Sequence, residues 1–495
     1  MATAHYDAIV VGSGQSGTPL AMAYAAAGKK TALIERKAIG GTCVNVGCTP
    51  TKTLITSGRI AHLARRAADY GINTTLPVAT DMAKVRQRGR DITQSFRAGS
   101  EARLERAGVD VVRGTATFVE PKVLQIKISS SGEAQLLRGD VIFLNTGERP
   151  ARPSLPGLDS VPAERVLDST SILQLGEVPT HLVVIGGGYV GIEFAQLFRR
   201  LGAGVTVVQH GTQILPREDT DIAAALTKIL ETDGITVLLS ASIDSVTMDD
   251  GKENLPIAVH VNLADPNHTR MTHKSVQASH ILLAAGRKPN TEDLGLDVAG
   301  VHTGSRGHIV VDDQLATTAK GVYAIGDVHG GPAFTHMSYD DYRILTANLL
   351  ANSEKSSSNK EEKPMTIASS KSRNLVPYVV YTDPQLGHVG LHERDVTAPS
   401  LGASDYSHVK TVSMPMAYVA RALETDETDG LMKATVNTKS GAILGFTCLG
   451  IEGGEIMAVV QTAMMGGLHW RDLADAVWAH PSLAESLNNL FGQLK

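Results

Sequence analysis

Two stretches of this chain place a glycine-rich loop between an apolar strand and a helix, with a second strand following. In the first, the strand Tyr6-Asp7-Ala8-Ile9-Val10-Val11 runs into Gly12-Ser13-Gly14-Gln15-Ser16-Gly17. An alanine-rich helix from Pro19 to Ala27 then stops at Gly28, and the strand Thr31-Ala32-Leu33-Ile34 ends at Glu35. In the second, Leu182–Ile185 leads into Gly186-Gly187-Gly188-Tyr189-Val190-Gly191, and a helix from Ile192 to Leu201 stops at Gly202. Its closing strand, Val205-Thr206-Val207-Val208, ends at Gln209. The glycines allow a tight turn and let backbone N–H groups and a helix N-terminus meet a pyrophosphate. A lone GxGxxG carries little weight, but one with strand, helix and strand in register specifies a dinucleotide site. Two such units mean two dinucleotides.

Aligned on the last glycine, Gly17 to Glu35 and Gly191 to Gln209 both span eighteen residues, so the second unit carries an amide where the first carries an acid. Glu35 would accept hydrogen bonds from the ribose hydroxyls of an adenosine. A carboxylate in the second unit would favour NADH through the 2′-hydroxyl and repel a 2′-phosphate. Gln209 followed by His210 removes that repulsion, which leans the second site to NADPH with NADH as the alternative.

Between the two units lies Gly40-Gly41-Thr42-Cys43-Val44-Asn45-Val46-Gly47-Cys48-Thr49-Pro50-Thr51-Lys52, which holds two of the chain's three cysteines. So few cysteines do not staple 495 residues, so this close pair is either two small buried hydrophobes or a redox pair. The third, Cys448, reads as a buried structural residue. A formal net charge of −5 argues against a nucleic-acid partner. No apolar run approaches the ~20 residues of a membrane span. The N-terminus enters a strand with no basic region or cleavage site before it, so a reducing, cytoplasmic setting is expected.

The length suggests ~3 domains. Helices are expected over Thr51–Ala67 and Lys84–Ala107, short strands from Val109 to Ile128, and a buried strand over Asp140–Leu144 that turns at Asn145-Thr146-Gly147. Pro150, Pro153 and Pro156 mark the exit from this region. The run Ile281 to Asn290, with its Gly286 turn, echoes that pattern, and a strand from Thr317 ends in Gly326-Asp327. We expect a discontinuous nucleotide domain over 1–155 and 281–350, a second over 156–280, a polar linker over 351–374 and an α+β module over 375–495. In the final helix Leu483, Leu487, Leu490, Phe491 and Leu494 share a face, with Pro481 expected in its first turn.

Taken together, these features resemble the class I pyridine nucleotide-disulfide oxidoreductases, the group of dihydrolipoamide dehydrogenase, glutathione reductase and mercuric reductase. The resemblance covers nearly the whole chain and implies an α/β fold of two Rossmann-like domains plus a C-terminal dimerisation domain. It implies that Gly12, Gly14, Gly17, Glu35 and Asp327 of Gly326-Asp327 bind FAD, and that Gly186, Gly188 and Gly191 hold the NAD(P)H pyrophosphate. Thr42, Thr146, Gly147, Gly286, Gln209 and His210 complete the cofactor-binding set. Tyr189 matches the aromatic gate over the flavin, and Lys52 with Glu193 matches an ion pair beside it. Cys43 and Cys48 match the redox-active disulfide, Cys48 facing the flavin and Cys43 the substrate. His480 and Glu485 match the acid–base dyad that faces the disulfide of the other subunit of a homodimer.

The cysteine stretch looks more like mercuric reductase than glutathione reductase. The run from His480 to Phe491 is similar to reductases of reactive electrophiles such as hypothiocyanous acid. The chain lacks the C-terminal cysteine pair usual in mercuric reductases and keeps a histidine they generally lack. The expected acceptor is a soluble electrophile: Hg(II), a disulfide or a reactive oxidant. Alternatives are dihydrolipoamide dehydrogenase or another thiol-disulfide reductase, a flavin-only oxidase or transhydrogenase, and a non-catalytic FAD-binding protein. No resident metal, nucleic acid or membrane partner is expected.

Overall fold

The computed structural model describes residues 3–73, 77–249, 251, 254–264, 271–350, 368–373, 375–397 and 408–495. They gather into two compact units. One comprises Met1–Thr53, Arg86–Ala151 and Gly286–Arg373; the other comprises Leu54–Val85, Arg152–Ala285 and Asn374–Lys495.

In the first unit the strand Thr3–Val11 lies between Thr31–Glu35 and Ala134–Leu144, parallel to both, with Val11 level with Ile34 and Leu144. Asp110–Glu120 and Val322–Ala324 extend the parallel order on either side, and Val123–Ile128 forms antiparallel pairs with Asp110–Glu120 and Ala134–Leu144. The inner stretches 8–11, 32–34 and 142–144 are apolar and buried because both faces are covered there. Alternation along the central strand sends Ile9 and Val11 to one face with Ile34, Phe118 and Ile142, and Ala8 and Val10 to the other with Leu33 and Phe143. On that second face the helix Gly17–Ala26 buries Leu20, Ala21 and Tyr24, and the Tyr24 ring meets Phe143 edge-on at 5.2 Å.

The second unit repeats the plan. His181–Ile185 lies between Gly204–Val208 and His280–Leu283, with Thr236–Leu238 and Val166–Leu167 outside, and all four pairings are parallel. The helix Tyr189–Leu201 is buried along most of its length. The same unit holds a five-stranded antiparallel sheet in the order Tyr378–Val380, Gln385–Gly390, Ile443–Gly450, Leu431–Asn437, Val409–Pro415. Helices Gly453–Met465, Trp470–Asp475 and Ser486–Gly492 close over it around Phe446, Trp470, Leu487 and Phe491. This is the expected α/β class, with two Rossmann-like units and a C-terminal α+β module. Cys448 is fully buried at the centre of that module.

The last helix corrects one expectation. It begins at Ser486, so Pro481 precedes it rather than occupying its first turn. The Ser482 hydroxyl accepts the Glu485 N–H at 3.2 Å and closes a separate turn before the helix starts. Most of the tract expected as a polar linker lies outside the described residues. No helix among the described residues is long and apolar enough to cross a membrane.

Candidate active site

The first glycine loop is shaped for a close backbone approach. Gly12 has φ +103°, and a Cβ there would lie 2.2 Å from the Asn145 carbonyl oxygen. Glu35, buried at the end of its strand, accepts the Ser13 N–H at 3.0 Å, the Ser13 hydroxyl at 2.6 Å and the Lys37 N–H at 2.8 Å. Asn145 does more than its sequence context suggests. Its Oδ1 accepts the Gly17 N–H at 2.9 Å, and its Nδ2 donates to Ser16 Oγ at 3.1 Å and to the Ile325 carbonyl at 3.0 Å. One buried amide thus ties the first loop to the Gly326-Asp327 turn.

Asp341, on the helix Thr335–Leu349, holds that turn from the other side. It accepts the Gly326 N–H at 2.7 Å and bonds His329 Nε2 at 3.0 Å and Arg373 Nη2 at 2.6 Å. Burial alone would raise its pKa; the His329 and Arg373 bonds outweigh burial and hold the carboxyl below its ordinary range. Burial pushes Asp327 the other way, with Arg287 opposing. Next to Asn145, the Thr146 hydroxyl oxygen is buried with no hydrogen-bond partner among the described residues. Such a group usually has one. A glycine loop at a helix N-terminus, a partnerless buried hydroxyl and the half-buried Asp327 carboxyl form a polar cradle that fits a dinucleotide such as FAD.

The cysteine pair is brought together by a break in the helix. On one continuous helix, residues five apart would point about 140° from each other. Here the short helix Gly41–Val46 ends and Cys48–Arg65 begins anew, with Gly47 between them. A Cβ on Gly47 would lie 2.8 Å from the Thr42 carbonyl oxygen, so the corner takes glycine. Asn45 clamps the loop: its Nδ2 donates to the Ile39 and Gly41 carbonyls at 2.9 Å each, and Arg97 holds its Oδ1 at 2.7 and 3.0 Å. Thr42 is exposed on the outer side of the short helix.

Both cysteines are free thiols in hydrogen-bonding contact with each other, and Cys48 Sγ also lies 3.5 Å from Thr335 Oγ1. The bond with Cys48, then burial, then the Cys48 charge hold the Cys43 thiol far above the ordinary cysteine range. Lys52 sits one turn beyond Cys48 on the same helix face.

In the second unit Gln209 does for its loop what Glu35 does for the first. Its Oε1 accepts the Gly187 N–H at 2.9 Å, while its Nε2 donates to the Gln213 carbonyl at 3.1 Å. His210 beside it is exposed. Gly188 precedes the helix that carries Tyr189, Gly191 and Glu193. The Tyr189 ring packs against Tyr378 with centroids 5.6 Å apart. Glu193 is buried and accepts the Tyr381 N–H at 2.8 Å.

Near the C-terminus a histidine and a glutamate are in contact. His480 Nδ1 lies 3.0 and 2.9 Å from the two Glu485 carboxylate oxygens. The imidazole is 68 % exposed, so Nε2 is the nitrogen left for another partner. Asn145, Asp341, Asn45 and Arg97 were missed from sequence. Asn145 alone left a local signal, as the residue between a buried strand and a glycine turn.

Comparisons agree with this geometry. The family described as pyridine nucleotide-disulphide oxidoreductase matches residues 6–341, and its dimerisation domain matches residues 376–491. The chain is 34 % identical over 493 residues to the probable pyridine nucleotide-disulfide oxidoreductase RclA of Escherichia coli, covering 99 % of each chain. It is 32 % identical to a mercuric reductase of Bacillus cereus, over 97 % of this chain and 70 % of that one. The solved Cu(II) complex of the HOCl-induced flavoprotein disulfide reductase RclA from Escherichia coli superposes with TM-score 0.83 at 34 % identity over all of both chains. With both domains matched along nearly its whole length, this chain belongs to the pyridine nucleotide-disulfide oxidoreductase family, whose members are oxidoreductases working with FAD and a pyridine nucleotide.

Proposed function

We propose that this protein moves two electrons from NAD(P)H to a soluble electrophile through Cys43 and Cys48. The observation that carries the reading is the contact between the two thiols at the Gly47 break. FAD, when bound, supplies the relay between a nicotinamide hydride and a disulfide. The chain's residues do the rest. Gly12, Gly14, Gly17, Glu35, Thr146, Gly147 and Asp327 would hold FAD; Gly186, Gly188, Gly191, Gln209, His210 and Gly286 would hold the nicotinamide coenzyme. Tyr189 would screen the nicotinamide position.

With a disulfide as acceptor, His480 takes the Cys43 proton as Cys43 Sγ attacks one sulfur, which forms a mixed disulfide and a leaving thiolate. The leaving thiolate takes a proton from His480, whose positive charge Glu485 stabilises. The Cys48 thiolate then attacks Cys43 Sγ, releases the second thiolate and leaves a Cys43–Cys48 disulfide. Two electrons have left the dithiol for the acceptor. His480 comes from a second subunit in this scheme. The C-terminal module supports that assembly: Val477, close to His480 in sequence, is fully exposed, and Met465 and Tyr418 are about as exposed as each other at 71 % and 70 %.

Among acceptors we favour a reactive oxidant over Hg(II) or a lipoyl disulfide. The support is the likeness to a reductase described as HOCl-induced, together with the retained His480. NADPH is favoured over NADH because Gln209 carries no charge. The test is Cys43→Ser assayed with a panel of oxidants, disulfides and Hg(II), beside an artificial dye that takes electrons from the flavin directly. Turnover of the true acceptor should fall at least a hundredfold while dye reduction stays within about twofold. Equal loss of both, or of neither, overturns the reading.

A further inference from the structure

The second unit holds a cluster of metal-ligating side chains that the cysteine chemistry does not use. Glu218 lies on the loop before the helix Thr220–Thr232, His388 on the strand Gln385–Gly390, and His392 two residues beyond that strand. Each offers a ligand atom, and the three atoms lie within 4.8 Å of one another. Glu218 and His388 are almost completely buried, at 1 % and 2 % exposure.

Glu218 is short of partners. Its Oε1 accepts the Tyr378 hydroxyl at 2.6 Å, but its Oε2 is buried with no hydrogen-bond partner among the described residues. Burial raises this acid to about 7. The Tyr378 hydroxyl has one proton and faces two acceptors, since His392 Nε2 lies 3.2 Å away. The two imidazoles stack with centroids 3.8 Å apart and planes within 5°, so one ring has to turn for both to bind a single cation. Burial lowers both, so both are neutral, the form in which imidazole binds a metal. The Gly390 carbonyl, 3.1 Å from His388 Nε2, takes that N–H, and Nδ1 accepts the Thr447 hydroxyl at 2.8 Å, a bond that a cation on Nδ1 has to displace.

The surroundings are negative as well. Lys433 Nζ is shared by Asp219, Asp221 and Glu393, and Asp395 accepts the His392 N–H at 3.0 Å. With Glu218, these carboxylates outnumber the nearby cations Lys433, Arg394 and Arg217. A buried oxygen without a donor, two neutral imidazoles and an excess of carboxylate are the conditions a divalent cation relieves.

We propose that Glu218, His388 and His392 form a site for a borderline divalent cation such as Zn²⁺, bound by two imidazole nitrogens and the free Glu218 oxygen, with water in the remaining position. Two imidazoles and one carboxylate with an open position form a set that suits this class of metal. The cation would also fix Tyr378 through Glu218, and Tyr378 bonds and packs against Tyr189. Metal occupancy should therefore change the coenzyme KM. That consequence rests on the proposed role of Tyr189; the site itself does not.

The experiment titrates the full-length holoenzyme, oxidised so that Cys43 and Cys48 are a disulfide, with ZnCl₂ by calorimetry and with Co²⁺ by visible absorption. We expect one ion per chain, weakened at least tenfold by His392→Ala and by Glu218→Gln and unchanged in Cys43→Ser. His392 is only half-buried, so its variant carries the test if Glu218→Gln does not fold. Absence of saturable binding, equal binding by His392→Ala, or loss of binding in Cys43→Ser overturns the site. A titration that holds without any change in coenzyme KM removes only the link to Tyr189.

Discussion

Asn145 and Ala284 stand at the same place in the two dinucleotide units, and they hold their loops by different means. In both, the first loop glycine bonds the end of the neighbouring strand, Gly12 N–H to Ile34 at 2.8 Å and Gly186 N–H to Val208 at 2.9 Å. In both, the return strand bonds the central one alike, Asn145 N–H to Val11 and Ala284 N–H to Ile185, each at 2.8 Å. The backbone plan is shared down to these bonds. Yet Asn145 adds three side-chain bonds across the first loop, and Ala284 has no side chain to add any. Glu35 brings a charge to its loop and Gln209 only an amide. A loop fixed from all sides suits a cofactor that stays; a loop held by backbone and one amide suits a coenzyme that comes and goes.

The largest effect that would break this contrast belongs to Asn145→Ala. It leaves the Gly17 N–H and the Ile325 carbonyl buried without a partner, so we expect a loss of about 2–4 kcal/mol of stability. Calorimetry should show the lowered Tm, and the absorbance ratio of purified protein a reduced flavin content. Full flavin and an unchanged Tm would mean the clamp is idle. Next in size is Gln209→Glu, which keeps an oxygen for the Gly187 N–H and adds one charge. The ratio of kcat/KM for NADPH over that for NADH should fall at least tenfold, about 1.4 kcal/mol. An unchanged ratio would show that this position does not read the 2′ group.

The smallest effect sharpens the first loop's side of the comparison through pH. Asp341 is held below its unfolded value, so its contribution is complete above about pH 4 and is lost as pH falls through the depressed value. The wild-type protein should lose stability and flavin faster than Asp341→Asn on going from pH 5 to pH 3, as read by unfolding titrations. Parallel acid curves would remove Asp341 from the clamp.

Much of this architecture is legible in the sequence because its signals are local. Strand, glycine loop and helix follow one another within thirty residues in each unit, Cys43 and Cys48 are five residues apart, and His480 and Glu485 are five apart. What escapes is polar stitching between distant segments. Asn145 meets Gly17, Arg97 meets Asn45, Arg373 meets Asp341, and Glu218 meets Tyr378, each pair joined only once the chain has folded. No periodicity marks such residues, since one side chain in one place does each task. Pro481 shows the opposite failure. Its suitability for a first helical turn is real, but Ser482 closes its own turn and delays the helix to Ser486.

The Gly47 corner carries one more consequence, in terms of concentration. Two thiols held in contact by the backbone meet at an effective molarity that, for well-oriented groups, reaches roughly 10⁵ M or more. In the proposed scheme, an acceptor bonded to Cys43 would therefore meet Cys48 ahead of any free thiol in solution. On that scheme the adduct is resolved before a dissolved thiol can intercept it.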